Sequence, residues 1–228
     1  MSAFFLRKKI FRSLGKIFTF LFIANVLFYA WFLSGAQCVE SSKNFYFLVF
    51  ESTHVEVSTY QTQALGGAGF LLKNENCDYI ALSVYLKGEE GDFVQNANSQ
   101  KTPNCKIVEI NSGNLYFKRI SEKKNAKKYV GAFDSFYGLI QALNEEIYRL
   151  DKGATQESSK RILTVLKRQF AYLNEAYKET FPAFSSVCEN AFKNLSEIVG
   201  GIVYTKDLRY LMCSFCASYV DLSAMFSL

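Results

Sequence analysis

The sequence predicts an α+β protein: an N-terminal transmembrane helix, a two-layer βαββαβ sandwich, and then a C-terminal all-α bundle. Three observations predict this order. Residues 17–36 form an uncharged apolar run, strand-like and helix-like segments alternate over residues 44–119, and residues 121–228 repeat apolar side chains at helical spacing. Half of the 228 residues are apolar, which is enough to build a packed core.

The first 36 residues have the charge asymmetry of a membrane anchor. Residues 1–16 hold five basic side chains and no acidic one, whereas the remaining 21 basic and 21 acidic residues balance. As a helix, residues 17–36 would rise about 30 Å, one hydrocarbon thickness. Because basic flanks stay in the cytosol, we expect a cytosolic tail at 1–16, a single-pass cell-membrane anchor at 17–36 and an extracytoplasmic body. The balanced remainder disfavours a nucleic-acid partner.

A cleaved signal peptide is the alternative interpretation of this N-terminus. The small residues Ser34-Gly35-Ala36 suit a signal peptidase, but the apolar run exceeds the roughly 7–15 residues of a usual signal core. Gln37 precedes Cys38 where a lipoprotein signal carries a small residue, which disfavours a lipoprotein. The basic flank and the lack of a polar face disfavour a buried helix of a soluble protein.

The strand-like segments are rich in aromatic and β-branched residues, and turn residues bound them. Strands are predicted at residues 44–51, 70–72, 79–86 and 106–110, and helices at residues 55–65 and 89–98. Gly66-Gly67 ends the first helix, as glycine does at a helix C-terminus. The order β-α-β-β-α-β gives four strands with two helices on one face.

The third strand alternates most clearly, and its period of two assigns side chains to faces. The residues expected under the helices are Ile80, Leu82 and Val84. The residues expected on a face that no predicted helix of this module covers are Tyr79, Ala81, Ser83 and Tyr85.

This organisation resembles the SPOR (sporulation-related repeat) family: a cytosolic tail, one anchor, and a βαββαβ module of about 75 residues outside the membrane. Tyr79–Tyr85 followed by Lys87–Glu90 and Phe93-Val94 occupies the place of the family's strand-to-helix pattern, and Gly66–Phe70 resembles sequences of clostridial membrane proteins of this kind. Ala81 and Ser83 replace the glutamine and glycine of that pattern. The resemblance covers about a third of the chain.

The resemblance implies binding of peptidoglycan glycan strands across the open sheet face. Saccharides present apolar ring faces and hydroxyls, so aromatic platforms and neutral hydrogen-bonding groups suit them, and Tyr79, Ser83 and Tyr85 supply both. The alternative is that the C-terminal helices cover this face and make the tyrosines core residues.

Residues 121–228 predict four amphipathic helices joined by short turns. The first repeats apolar residues at 4,3 spacing from Tyr129 to Leu150, a heptad seam. Thr155 is a candidate cap of the second helix, and Pro182 fits the first turn of the third. We interpret the seams as bundle core; the first helix could also mediate dimerisation or dock a partner. The lysines at its start, Lys123, Lys124, Lys127 and Lys128, are interpreted as solvated.

Catalytic chemistry is not indicated. His54 is the single histidine, and there is no phosphate-binding loop, dinucleotide fingerprint or metal-binding histidine cluster. Cys213 and Cys216 form a C-x-x-C inside an apolar helical pattern, which favours packing over thiol redox chemistry. The chain has four other cysteines, which are Cys38, Cys77, Cys105 and Cys188. The sequence does not determine how the six cysteines pair in disulfides, if they pair at all.

We therefore expect a non-catalytic, membrane-anchored cell-envelope protein without metal or cofactor. It would bind peptidoglycan glycan in cell division or sporulation. The alternative is a membrane-anchored scaffold whose helical bundle docks another envelope protein or a second copy of the chain.

Overall fold

The computed structural model describes residues 21–27, 35, 37–51, 55–64, 66–73, 78–86 and 105–227. Over these residues the protein is a mixed α/β structure, mostly helical, with two antiparallel sheets. Residues 21–27 are helical. Apart from these seven and Gly35, the expected anchor lies outside the described residues, as do the tail at 1–16 and the expected helix at 89–98. Within the described ranges, no helix combines the length and apolarity that crossing a membrane requires.

All four predicted strands form one antiparallel sheet. The sheet consists of β2 (Asn44–Glu51), β3 (Phe70–Lys73), β4 (Asp78–Leu86) and β5 (Lys106–Asn111), in the order β3-β4-β2-β5. Strand β2 therefore pairs with β4 on one side and with β5 on the other. Helix α1 (Val55–Ala64) connects β2 to β3, as the sequence predicts.

A tight glycine turn ends α1. Gly66 has φ of 85°, a conformation that side chains with a Cβ disfavour. The Gly67 N–H donates to the Thr62 carbonyl at 3.0 Å, and a Cβ on Gly67 would lie 2.7 Å from the Thr62 methyl group. The Gly66-Gly67 pair thus lets the chain double back closely against α1 before β3 begins.

Leu82 forms a bulge in β4 that the sequence pattern does not reveal. Leu48 of β2 pairs with Ser83, whereas the next residue, Val49, pairs with Ala81, so Leu82 is an extra residue on β4. Its carbonyl accepts a hydrogen bond from the Ala68 N–H at 2.7 Å. The bulge therefore has a backbone partner in the glycine turn.

The bulge corrects the predicted assignment of faces. Because one extra residue shifts the alternation, the side chains before and after Leu82 change faces relative to a regular strand. The face that joins the core shared with the helices carries Tyr79, Ala81, Val84 and Leu86. The opposite face carries Ile80, Ser83 and Tyr85. Tyr79 thus lies on the opposite face from Ser83 and Tyr85, contrary to the prediction.

A second, two-stranded sheet is an addition to the predicted elements. Strand β1 (Gln37–Val39) pairs antiparallel with β6 (Leu115–Phe117). Three residues are too short to give a periodicity signal, which is why neither strand was predicted. The pairing fixes residues 37–39 beside the chain segment that enters the bundle.

The four predicted helices of the bundle are confirmed. They are α2 (Ile120–Asp151), α3 (Gln156–Tyr177), α4 (Pro182–Gly200) and α5 (Thr205–Ala224). Thr155 caps α3 by accepting from the Ser158 N–H at 3.3 Å, and Pro182 lies in the first turn of α4. Helix α2 begins at Ile120, nine residues before the apolar seam that predicts it. The carboxylate of Glu122 accepts the N–H groups of Lys118 and Arg119, both at 2.9 Å, and so supports this early start.

The bundle and the four-stranded sheet share one core. Helix α5 packs against β3 and β4, and Tyr219 of α5 is 1% exposed. Its ring lies edge-on to Phe45 of β2 at 5.5 Å and to Phe133 of α2 at 5.2 Å between centroids. Aromatic contacts of this kind join sheet and bundle. The sequence left open that the C-terminal helices cover the face that carries Tyr79. The structure shows this arrangement for that face.

Candidate functional site

Tyr79 lies at the edge of the hydrophobic core. It is 7% exposed, and its hydroxyl lies 2.9 Å from the Lys106 Nζ of β5. The same ammonium pairs with Glu51 and lies 4.4 Å from the centroid of the Tyr79 ring. The hydrogen bonds of Lys106 to Glu51 and then to Tyr79 raise the pKa of that lysine above its ordinary value. Both the ring face and the hydroxyl of Tyr79 are thus occupied by neighbours within the protein.

Ser83 and Tyr85 lie on the other face of the sheet, and both are half-buried. Ser83 pairs across the strands with Leu48, and Tyr85 pairs with Tyr46. Leu48 on this face is 2% exposed, so the face is covered around Ser83. The structure therefore brings Ser83 and Tyr85 together, but it separates both from Tyr79.

The C-x-x-C motif is buried in the bundle. Cys213 and Cys216 of α5 have no exposed surface, and Cys188 of α4 is also fully buried. Burial raises the pKa of Cys188 to about 12, and it raises the pKa values of Cys213 and Cys216 well above the ordinary thiol value. Such thiols stay protonated at neutral pH and are poor nucleophiles. This environment agrees with the packing interpretation of the motif.

Two cysteines are more accessible. Among the described residues, Cys38 is an exposed free thiol and Cys105 is a half-buried one. His54 and Cys77 lie outside the described residues. In the described part of the chain, no three histidine, cysteine or acidic side chains are grouped as metal ligands would be.

A groove of about 500 Å³ lies between the end of α3 and the start of α4. Four of its polar side chains bond in two pairs: Ser185 Oγ lies 2.5 Å from Asn174 Oδ1, and Lys193 Nζ lies 2.7 Å from Glu189 Oε1. The Lys193 hydrogen bond lowers the pKa of Glu189. These four groups are therefore engaged within the protein.

One end of the bundle collects exposed apolar side chains, and we call it the distal end. It comprises the last turn of α2, the start of α3 and the connection between α4 and α5. Three large side chains are exposed there: Tyr148 (59%), Ile202 (60%) and Tyr204 (50%). Lys152 lies over the Tyr148 ring at 5.2 Å, and Lys206 lies over the Tyr204 ring at 5.6 Å. Each of the two tyrosine rings therefore has a cation–π contact with a neighbouring lysine.

Hydrogen bonds between connections hold the distal end together. The side-chain amide of Gln156 donates to the Val203 carbonyl at 2.8 Å and accepts from the Val203 N–H at 2.9 Å. Arg209 of α5 donates to Asp151 at 2.9 Å and to the Gly66 carbonyl at 2.8 Å. The exposed residues thus stand on a braced surface. Sequence reasoning missed this surface because its residues come from separate parts of the chain and share no motif.

The opposite, proximal end contains β1, β6 and the start of α2. The Tyr116 N–H of β6 donates to the Phe226 carbonyl at 2.7 Å, and the Phe117 ring stacks on Tyr129 at 5.8 Å. The Lys123 ammonium donates to the Gly35 carbonyl. Helix α2 spans 32 residues, so about 48 Å separates the two ends.

Comparison with protein-family models, with curated proteins and with solved structures gave no match to this chain.

Proposed function

We propose that this chain is a non-catalytic, membrane-anchored protein of the cell envelope whose bundle docks another protein through its distal end. The exposed side chains Tyr148, Ile202 and Tyr204 carry this proposal. Large apolar groups that gather on one braced surface typically mark an interaction site. Tyrosine suits such a site because its ring is apolar and its hydroxyl tolerates water.

The charges at the distal end indicate the chemistry of the partner. Within the described residues, Lys152 and Lys206 have no acidic partner; each instead lies over a tyrosine ring. An apolar segment flanked by acidic residues would contact the rings and pair with both lysines. The sheet, with Tyr79 packed under the helices, serves in this proposal as the support on which the bundle rests.

Photocrosslinking in cells tests the docking proposal. A benzophenone amino acid replaces Tyr148 or Tyr204 at the distal end, and the control positions are Tyr60 of α1 and Tyr172 of α3. The controls are even more exposed, at 76% and 73%, but lie elsewhere on the surface. We expect a discrete adduct from both distal positions and none from the controls.

The mass and sequence of the adduct decide the outcome. An adduct with a different protein, lost when Lys152 and Lys206 are both changed to Glu, supports the proposal. An adduct that contains two copies of the chain would replace it with self-association. Equal crosslinking at Tyr60 and Tyr172 would contradict a specific distal surface.

Binding of peptidoglycan glycan is the second candidate function. The strand order β3-β4-β2-β5 favours it, because a βαββαβ module of the kind implied by the SPOR resemblance places its first strand between the third and the fourth. With Tyr79 engaged by Lys106, the residues left to this candidate are Ser83 and Tyr85 on the opposite face.

Sedimentation with purified sacculi tests this second candidate. We expect the full chain in detergent to sediment with sacculi, and Tyr85→Ala to reduce the bound fraction. Tyr172→Ala is the matched control, since it removes an exposed tyrosine from the bundle. If the wild-type chain stays in the supernatant, or if both variants bind equally well, the glycan proposal fails.

A further inference from the structure

A basic surface at the proximal end is not used by the docking proposal. We call it the basic flank, and it consists of Lys118, Arg119, Lys123, Lys124, Lys127 and Lys128. Glu122 is the one acidic residue among residues 118–128, and its carboxylate is occupied by the backbone of Lys118 and Arg119. These eleven residues therefore concentrate positive charge in a body that is neutral only as a whole, since its other residues carry a net negative charge.

The helical geometry of α2 directs much of this charge into solvent. At 100° per residue, Lys124, Lys127 and Lys128 lie on the side of the helix opposite the core residues Ala126 and Phe133. All three lysines are exposed. Among the described residues, none of the three has an ion-pair partner. Repulsion among unpaired like charges costs stability unless an anionic partner offsets it.

The rest of the proximal end does not neutralise the flank. The end of α3 contributes Glu175, Lys178 and Glu179, of which Lys178 lies 4.0 Å from Glu175. Glu40 after β1, Glu179 just after α3 and Asp221 in the last turn of α5 are further acidic side chains at this end. With Glu122, which also pairs with Arg119 at 3.6 Å, they number four against the six basic residues of the flank, so the charge balance of this end is still positive.

The position of the flank relative to residues 17–36 identifies its partner. Lys123 donates to the carbonyl of Gly35, at the end of this apolar run, and β1 begins two residues later. If residues 17–36 cross a membrane, the basic flank has to lie within a few residues' length of the bilayer surface. Anionic headgroups at a membrane surface attract basic side chains that lie within a Debye length of it.

From this juxtaposition we infer that the basic flank binds the anionic phospholipid surface of the membrane in which the chain is anchored. This inference rests on the anchoring part of the proposed function. The contact fixes the proximal end against the bilayer, so that α2 carries the distal end away from it. The body is thereby oriented, and the docking surface is presented at a set distance from the membrane.

Lysine footprinting of the full chain in lipid vesicles tests the inference. The chain is reconstituted either in neutral phosphatidylcholine vesicles or in vesicles that also contain about 30 mol% of the anionic lipid phosphatidylglycerol. Accessible lysines are then acetylated and quantified by mass spectrometry. We expect Lys124, Lys127 and Lys128 to react at least about threefold more slowly in the anionic vesicles, and the difference to vanish at about 1 M salt. Lys152, Lys160 and Lys206 are internal controls that should react equally in both.

Three results would overturn the inference, and they are distinguishable. Equal reactivity of the flank in both vesicles, with the chain still resisting alkaline extraction, removes the lipid contact and leaves the anchor standing. A chain that alkaline extraction releases removes the anchor and the inference together. Protection by soluble polyphosphate but not by lipid would assign the flank to an anionic polymer instead.

Discussion

At the C-terminal end of α2, Glu146 is an ionisable residue with only 1% of its side chain exposed. Its Oε2 lies 2.8 Å from Arg149 Nη1, while Oε1 has no hydrogen-bond partner among the described residues. Arg149 Nη2 also donates to Ser158 Oγ of α3 at 2.8 Å. The guanidinium thus compensates a buried charge and bridges two helices, whereas an exposed ion pair contributes little to stability.

Loss of Arg149 should therefore be far more costly than loss of an exposed arginine. We expect Arg149→Met to lower the free energy of unfolding by about 3 kcal/mol, because it leaves Glu146 buried and unpaired. The control is Arg161→Met on α3, whose partner Glu157 is 77% exposed, as is Arg161, and whose loss should cost under about 1 kcal/mol. Urea denaturation measures the free energy of unfolding of both variants. Equal losses would show that removing Arg149 does not leave an uncompensated charge at Glu146.

The buried thiols make stability depend on alkaline pH. Burial raises the pKa values of Cys188, Cys213 and Cys216 above the ordinary value of 9.0, so these thiols keep their protons when folded and lose them when unfolded. Their contribution is fully present below pH 9 and is lost as pH rises further. Above pH 9, each thiol should lower the free energy of unfolding by up to about 1.4 kcal/mol per pH unit.

Denaturation between pH 7 and pH 10.5 checks this dependence. The matched variant carries Cys213→Ala and Cys216→Ala, and its free energy of unfolding should fall less steeply above pH 9 than that of the wild type. Parallel curves for the two proteins would mean that the thiols titrate alike in the folded and unfolded states.

Among the elements, β4 shows how one residue redistributes a candidate site. Its alternation predicts a strand with correct ends to within one residue, since aromatic and β-branched residues mark it clearly. The bulge at Leu82 is supported by the Ala68 N–H, which lies in another segment and donates to the Leu82 carbonyl. The periodicity of β4 carries no information about such a distant partner. The same applies to the start of α2, where Glu122 rather than an apolar seam determines the first turn.

Deleting Leu82 should leave the sheet intact. Ala81 would still pair with Val49 and Ser83 with Leu48, so every side chain keeps its face. We expect a loss of about 1–3 kcal/mol, from the unpaired Ala68 N–H and the lost contacts of Leu82. Deleting Val84, a 5% exposed residue two positions on, should instead prevent folding, because it shifts Tyr85 and Leu86 to the wrong faces.

Circular dichroism and thermal unfolding of the two deletion variants measure the difference. A folded Val84 deletion, or a Leu82 deletion as damaging as that of Val84, would argue against a simple bulge at this position.

On the scale of the whole molecule, the sequence predicts elements better than their arrangement. The four strands of the large sheet, α1 and the four bundle helices follow from periodicity and turn residues. The packing of α5 on β3 and β4 does not, because the apolar face of a helix does not specify which surface it covers. This packing buries Tyr79, and the bulge moves Ser83 and Tyr85 to the other face.

The candidate interaction surfaces are likewise properties of the assembled molecule. Tyr148 and Tyr204 are 56 residues apart in the chain and lie at the same end of the bundle, where Gln156 and Arg209 hold the connections in place. The basic flank is visible in the sequence, but its position beside Gly35 is a consequence of the β1–β6 pairing and the Lys123 hydrogen bond. The central claim is therefore an oriented body with one end at the membrane and the other directed away from it.

Labelling of Cys38 from outside the membrane tests that claim most directly. In a variant with Cys77→Ser and Cys105→Ser, Cys38 is exposed and the remaining thiols are buried. A matched variant also carries Cys38→Ser and Ser2→Cys, which moves the reactive thiol to the expected cytosolic tail. We predict that a membrane-impermeant maleimide labels Cys38 in intact spheroplasts and labels Cys at position 2 only after permeabilisation. Labelling of Cys38 only after permeabilisation would contradict the account.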